Sequence, residues 1–298
     1  MKEMNKRILI TGASGFVGGR IARSLSDSYD VITPTHSELD ITSDDRVQEY
    51  MDDVRPDIIL HLAAISDTGY CETHPEESYL VNVIGVENLA KSAARHGAKM
   101  VFFSSDQIYN GNQEPGLLPE DVLVSPENQY GRHKLLAEQR ALAIADSAVA
   151  LRATWMYDIQ RSGMHTHNNF VINLKRAVTE GTSLNYATRE YRGITWVEEV
   201  VRNIPYTFDL PGGVYNFGAE NTLNTYQTAL KYAEILLSEM SSSEALSKIH
   251  DIVKADEARF PEHIRNISVS LKKITDASQG KIRFLTTMEG LAEFERNL

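Results

Sequence analysis

A single cysteine, Cys71, stands in a chain of 298 residues. No internal disulfide can form, so packing alone must hold the fold, and the composition suits a reducing compartment such as the cytoplasm. Long apolar runs are missing too. None approaches the roughly 18 residues that a membrane helix needs. The N-terminal stretch MKEMNKRILITGASG breaks into glycines after RILIT, so neither a signal peptide nor a membrane span is expected there. Positive charge is scarce, with 30 Lys and Arg against 41 Asp and Glu and a net charge of −11. That surface argues against nucleic acid or an anionic membrane as partner, while leaving room for a local basic pocket. Repeats and low-complexity tracts are absent beyond the polar turn Ser241–Ser243, which excludes a solenoid.

What is present is a hydrophobic fraction of 42%, enough for a packed core. The length suits one large α/β domain, or such a domain with a smaller lobe. Apolar runs predict strands over Arg7–Thr11, Asp30–Thr33, Asp57–Ala63, Lys99–Ser104 and Ala148–Ala153. DIILHLAA shows no polar alternation, as expected of a strand covered on both faces. Val17, Ile21 and Leu25 recur at helical spacing, and a longer helical pattern runs from Glu76 to His96 and stops at Gly97. Strand–helix alternation of this kind implies a parallel sheet with right-handed crossovers. The rhythm weakens after Tyr157. Asn169–Glu180 and Thr225–Glu239 read as helices and Gly213–Phe217 as a strand. The expected fold is therefore α/β, a Rossmann-type doubly wound parallel sheet over residues 1–157. A smaller α/β substrate-binding lobe is expected mainly over 158–298, with segments near 191–217 returning to the sheet.

GASGFVG, Gly12 to Gly18, falls directly between the first strand and the first helix. Glycines at this spacing permit the tight turn and let backbone N–H groups at the helix start face a pyrophosphate. Gly12, Ser14, Gly15, Phe16, Val17 and Gly18 are thus expected to bind a dinucleotide. The second strand ends in VITPTHSELD, whose tip holds Thr35, His36 and Ser37 and no carboxylate until Glu38. A missing acid there leaves room for a 2′-phosphate, so NADP(H) is expected, with NAD(H) as the second option. His36 sits at that tip. Arg20 is either a partner for the 2′-phosphate or a solvated helix residue. Asp40 and Ile41 are placed to hold and cover the adenine. Leu62, Ala63 and Ala64 end the third strand, where small residues would let the cofactor lie close.

QYGRHKLLAEQ places Tyr130 and Lys134 four apart on one helical face, with Leu135 and Leu142 as the apolar side. A phenol titrates near pH 10 in water. A fixed cation beside it favours the phenolate and suits the tyrosine to proton exchange with a carbonyl or alcohol oxygen.

With these pieces the chain resembles the extended short-chain dehydrogenase/reductases, and within them the dTDP-4-dehydrorhamnose reductase branch. The resemblance covers nearly the whole chain and is densest from Arg7 to Tyr157. It is carried by TGASGFVG, HLAA, CETHPEESYLVNV, FFSSDQIYNG, SPENQYGRHKLLAE, LRATWMY and NNFVINLKRAVTEG. It implies a catalytic set of Ser105, Tyr130 and Lys134. Ser105 would hold the substrate carbonyl, and Tyr130 would donate the proton. Lys134 would lower the phenol pKa and bind the nicotinamide ribose. It further implies a nucleotide-sugar substrate touched by Asp106, Gln107, Trp155 and Asn169. YRGITWVEEV resembles a segment that, in sugar-nucleotide epimerases, brings an arginine to the substrate diphosphate, and Arg192 is the match. Arg259 or Arg265 would supply a second clamp.

Three positions depart from the branch. Gly69 stands where an aspartate is usual, Asn110-Gly111 replaces Asp-Gly, and YRGITW replaces the Q-x-G-x-P-T segment. The sugar and the base stay open. The resemblance also admits two other functions: an epimerase or dehydratase of the same superfamily, and a non-catalytic subunit like the regulatory subunit of methionine adenosyltransferase. A homodimer is compatible with all of these. His165 and His167, two apart with no third ligand nearby, predict no metal site.

Overall fold

A computed structural model describes residues 6–298. The first five residues, part of the stretch read above as too short for a signal peptide, lie outside the described residues. Six strands form one parallel sheet: β1 (Arg7–Thr11), β2 (Asp30–Ile32), β3 (Ile58–His61), β4 (Lys99–Ser105), β5 (Val149–Ala153) and β6 (Gly213–Phe217). Their order across the sheet is β2-β1-β3-β4-β5-β6. The fold is the expected α/β class with a Rossmann-type parallel sheet, and β6 adds an edge from far along the chain. Chain direction across the sheet reverses between β1 and β3, so a crevice opens at the carboxyl ends of those strands.

Sequence explains the centre of this sheet. Ile8, Leu9, Ile10, Ile59 and Leu60 are fully buried, because helices cover both faces and no position can be polar. One apolar layer includes Ile8, Ile10, Val101 and Val200. The opposite layer includes Leu9, Ile59, Val86 and Ala141. A third core gathers residues after Tyr157, among them Phe170, Leu174, Tyr232 and Phe294. Three short parallel pairs tie that region together: Trp155–Tyr157 with Ile194–Trp196, Leu184–Ala187 with Val253–Asp256, and Glu190–Tyr191 with Arg265–Asn266.

Two expectations change in detail. The helical run toward Gly97 contains a π turn over Leu80–Ile84 between α-helices Pro75–Tyr79 and Gly85–His96. Gly97 ends it in the left-handed region, at φ 69°. The helix Gln129–Ile144 does not bury Leu135 and Leu142, which are only half-buried. Its buried stripe is Tyr130, Lys134, Ala137, Glu138 and Ala141. Small side chains let the helix approach the sheet, and Glu138 is buried because it meets Arg152 of β5 at 2.8 Å. The face that carries Tyr130 and Lys134 is thus the packed face, not a solvated one.

No helix among the described residues is long and apolar enough to cross a membrane.

Candidate active site

The glycine loop leaves β1 at the crevice. Gly12 holds φ +75°, and a Cβ there would lie 2.6 Å from the Ala63 backbone nitrogen. A Cβ on Gly18 would lie 2.2 Å from the Gly12 carbonyl oxygen. Strand end, loop and helix therefore approach within backbone contact, which no larger residue permits. This cradle fits a dinucleotide diphosphate: bare backbone at the head of a helix, opposite the chain end at Leu62–Ala64. It opens into a cavity of about 970 Å³, at the upper end of the roughly 300–1,000 Å³ typical of ligand sites.

Ser105, Tyr130 and Lys134 line the same cavity. Ser105 ends β4, and its hydroxyl accepts from the Gln107 amide at 3.1 Å. Tyr130 and Lys134 stand in the first turns of their helix, whose start is fixed by the Asn128 side chain accepting from Gly131 N at 2.7 Å. Lys134 Nζ donates to the Phe103 carbonyl at 2.8 Å and sits 5.6 Å from the Tyr130 ring centre. Burial pulls the Lys134 ammonium down to about 8. Burial pushes the Tyr130 phenol up, as does the Asp106 carboxyl, while the Ser105 hydroxyl pulls it back. The expected lowering of the phenol pKa by Lys134 is therefore corrected. The ammonium is turned to a carbonyl, and desolvation dominates. A phenol held this way is protonated at neutral pH and suited to giving a proton.

The opposite wall is built from the later chain. Arg192 stacks on Trp155, 4.8 Å from its ring centre, and lies 3.5 Å from Asp106 Oδ2. Its Nε and that oxygen are buried without a hydrogen-bond partner among the described residues. Burial raises the Asp106 carboxyl against the pull of Arg192 and Arg265. Arg265 also faces the cavity, but its donors are engaged. Nε donates to Asn110 Oδ1 at 2.6 Å, Nη2 to Gln107 Oε1 at 3.0 Å, and Nη1 pairs with Glu190. Burial alone would raise the Glu190 carboxyl, yet Arg192, Arg265 and Arg259 together hold it below its ordinary value. Gln107 additionally accepts from Asn128 at 3.0 Å. Arg259 lines the mouth and is exposed.

Gly12, Gly15, Phe16, Val17, Gly18, Leu62, Ala64, Asp106, Gln107, Trp155, Arg192 and Arg265 thus share one cavity with the Ser–Tyr–Lys set. Ser14 is exposed on the loop, outside that lining, and Ala63 contributes its backbone behind Gly12. Five expected contacts need correction. Arg20 is buried and donates to Asp158 at 3.0 Å, so its guanidinium is not offered to a 2′-phosphate. Asn169 is fully buried; its side chain caps the helix Phe170–Glu180, accepting from Ile172 N and donating to the Asp158 carbonyl. Ile41 packs into the core against Gly85, where a Cβ would lie 2.7 Å away. Asp40 turns its carboxylate onto Thr42 of its own turn. His36 is exposed and apart from the cavity wall. Asn128 and Glu190 were not singled out from the sequence, and Asn110 was noted only as a departure from the branch. Only Asn128 had a readable signal, as a helix N-cap just before the Tyr130 run.

Comparison with known proteins bears directly on this arrangement. The profile of the family described as the RmlD substrate binding domain matches residues 6–284. The chain belongs to this family. A dTDP-4-dehydrorhamnose reductase of Aggregatibacter actinomycetemcomitans is 27% identical over 280 residues, 91% of this chain and 92% of that protein. Methionine adenosyltransferase 2 subunit beta of Xenopus laevis is 32% identical over 166 residues, 53% of this chain and 49% of that protein. Among solved structures, dTDP-4-dehydrorhamnose reductase from Bacillus anthracis str. Ames in complex with NADP superposes with a TM-score of 0.81. It is 23% identical and matched over 99% of this chain and 100% of that one. At that identity the superposition speaks for the fold.

Proposed function

We infer that this chain is an NAD(P)H-dependent reductase of the dTDP-4-dehydrorhamnose reductase kind, acting on the 4-keto group of a nucleotide-activated deoxysugar. The carrying observation is that the glycine cradle, Ser105, Tyr130, Lys134 and Arg192 all face one cavity. Gly12 to Gly18 would hold the dinucleotide, and residues 1–157 would form its domain; 158–298 would supply most of the substrate lobe, although of the segments near 191–217 only Gly213–Phe217 joins the main sheet. NADP(H) is the cofactor, with NAD(H) also accepted. When bound, the reduced nicotinamide supplies the hydride.

The remaining chemistry belongs to this chain. Ser105 orients the keto oxygen, and Tyr130 gives that oxygen its proton from a phenol that burial keeps protonated. Lys134, held by the Phe103 carbonyl, would fix the nicotinamide ribose. Arg192, braced by Trp155, forks onto the diphosphate of the substrate. Gln107 supports reduction over sugar dehydration. Elimination needs a second carboxyl group to move protons, and a carboxamide that accepts from Asn128 and Arg265 cannot supply one. The likeness to a methionine adenosyltransferase subunit covers about half the chain, and a subunit without catalysis has no need of the Ser–Tyr–Lys set. The reading includes a cytoplasmic protein with a nucleotide sugar as its partner, compatible with a homodimer, and without nucleic acid or membrane; the charge of −11 supports it.

Incubation with dTDP-glucose and oxidised cofactor tests the distinction. No 4-keto sugar should accumulate. Its catalytic formation would overturn the reductase reading.

A further inference from the structure

The pair His165 and His167, unpromising as a metal site, lies in the cavity wall beside the glycine loop. No cluster that could hold a metal ion is found among the described residues. The segment between Asp158 and Asn169 is nonetheless a built structure. Asn169 closes its base by donating to the Asp158 carbonyl at 2.8 Å and to the His167 carbonyl at 3.2 Å. Thr166 donates to the Ile159 carbonyl at 3.3 Å. Arg20, from the helix after the glycine loop, bolts the segment down. It donates to Asp158 Oδ2, to the His165 carbonyl at 3.0 Å and to the Phe16 carbonyl at 2.7 Å. Phe16 is sandwiched by this bolt, with Arg20 4.4 Å from its ring centre and His167 edge-on at 4.7 Å. The histidine backbones carry the bonds of the segment, which leaves both exposed rings turned to the cavity.

We propose that His165 and His167 are dinucleotide-binding residues that close over the diphosphate opposite the glycine loop. This rests on the dinucleotide reading above. A diphosphate in the cradle meets backbone N–H groups on one side. On the other side the obvious cation would be Arg20, but its guanidinium is spent on Asp158. The two histidines line the cavity at the loop, His167 packed edge-on against Phe16, and each imidazole in its neutral form has a ring N–H to offer a phosphate oxygen. Arg20 and Asp158 are then positioning residues that set the height of the histidines above Phe16.

The test is calorimetric titration with NADPH and with NADH of the wild type, of the double variant His165→Ala/His167→Ala, and of His165→Arg/His167→Arg. Both rings are exposed, so the variants should melt with the wild type. Losing two such hydrogen bonds should weaken NADPH on the order of tenfold in the alanine variant, which keeps no donor. NADH should weaken by the same factor, because the diphosphate is common to both. The arginine variant should recover most of the loss. A wild type that binds neither dinucleotide would overturn the function reading and this inference with it. Wild-type binding with unchanged dissociation constants in the alanine variant would overturn this inference alone. A loss confined to NADPH would overturn the diphosphate assignment in favour of the 2′-phosphate.

Discussion

The two walls of the cavity are held in different ways. On the cofactor side, Ser105, Tyr130 and Lys134 sit on a strand end and a helix start, and their supports are mostly close backbone groups, the Gln107 amide and the Phe103 carbonyl, with the Asn128 side chain capping the helix. On the substrate side, Arg265 sits on a short strand pair and Arg192 on the link between two short strands, and both are held by side chains, namely Trp155, Glu190, Asn110 and Gln107. Backbone supports fix a geometry that few substitutions can alter. Side-chain supports can be exchanged one at a time. The first wall is thus suited to chemistry common to a family, and the second to the choice of substrate.

That contrast orders the consequences of mutation. The largest effect should come from the first wall. Tyr130→Phe removes the proton donor, and turnover should fall by roughly 10²–10⁴ with the NADPH dissociation constant unchanged. Steady-state rates beside a binding titration check this, and equal turnover would dissolve the difference between the walls. The Arg20 bolt comes next, as a matter of stability. Arg20→Ala leaves Asp158 buried with Arg161 as its remaining charged partner, 3.0 Å away and half-exposed. Denaturant melts should show a loss of about 3 kcal/mol, the low end for breaking a buried pair. NADPH and NADH should be affected alike, since Arg20 does not select between them.

Arg192→Ala should act on the second wall alone. It should raise KM for the sugar nucleotide by about ten- to a hundredfold, as expected for a lost charge-assisted fork, and lower kcat little. A kcat effect larger than the KM effect would show that Arg192 belongs with the catalytic wall. The smallest effect is a pH dependence. Lys134 loses its charge as pH rises through about 8, whereas a lysine in water keeps it to about 10.4. kcat/KM reports groups of the free enzyme, so it should fall on the alkaline side with a midpoint near that value. A flat profile there would remove the lysine from the rate-determining step.

The same contrast decides what could be read from the sequence. Tyr130 and Lys134 were legible because four residues make one helical turn, and β1, β3 and β4 because strands buried on both faces read as unbroken apolar runs. The glycine loop was legible because its chemistry is local. The residues of the second wall came from the resemblance, and the contacts that hold them were not legible. Arg265 meets Asn110, Glu190 and Gln107 across separations of 155, 75 and 158 residues, and no spacing rule reaches that far. Arg20 was misread for the same reason, because Asp158 lies 138 residues on. Leu135 and Leu142 misled by composition. The helix turns alanines and a paired glutamate inward, since close approach to the sheet leaves no space for leucine.

The central claim is that this cavity reduces a ketone with a proton from Tyr130. The direct measurement follows the ultraviolet absorbance of NADPH with a 4-keto-6-deoxy sugar nucleotide, using wild type and Tyr130→Phe together. The account predicts one NADPH consumed per sugar reduced by the wild type, and near-complete loss in a variant that still binds NADPH. A wild type that binds NADPH and leaves it unoxidised across 4-keto sugar nucleotides would contradict it.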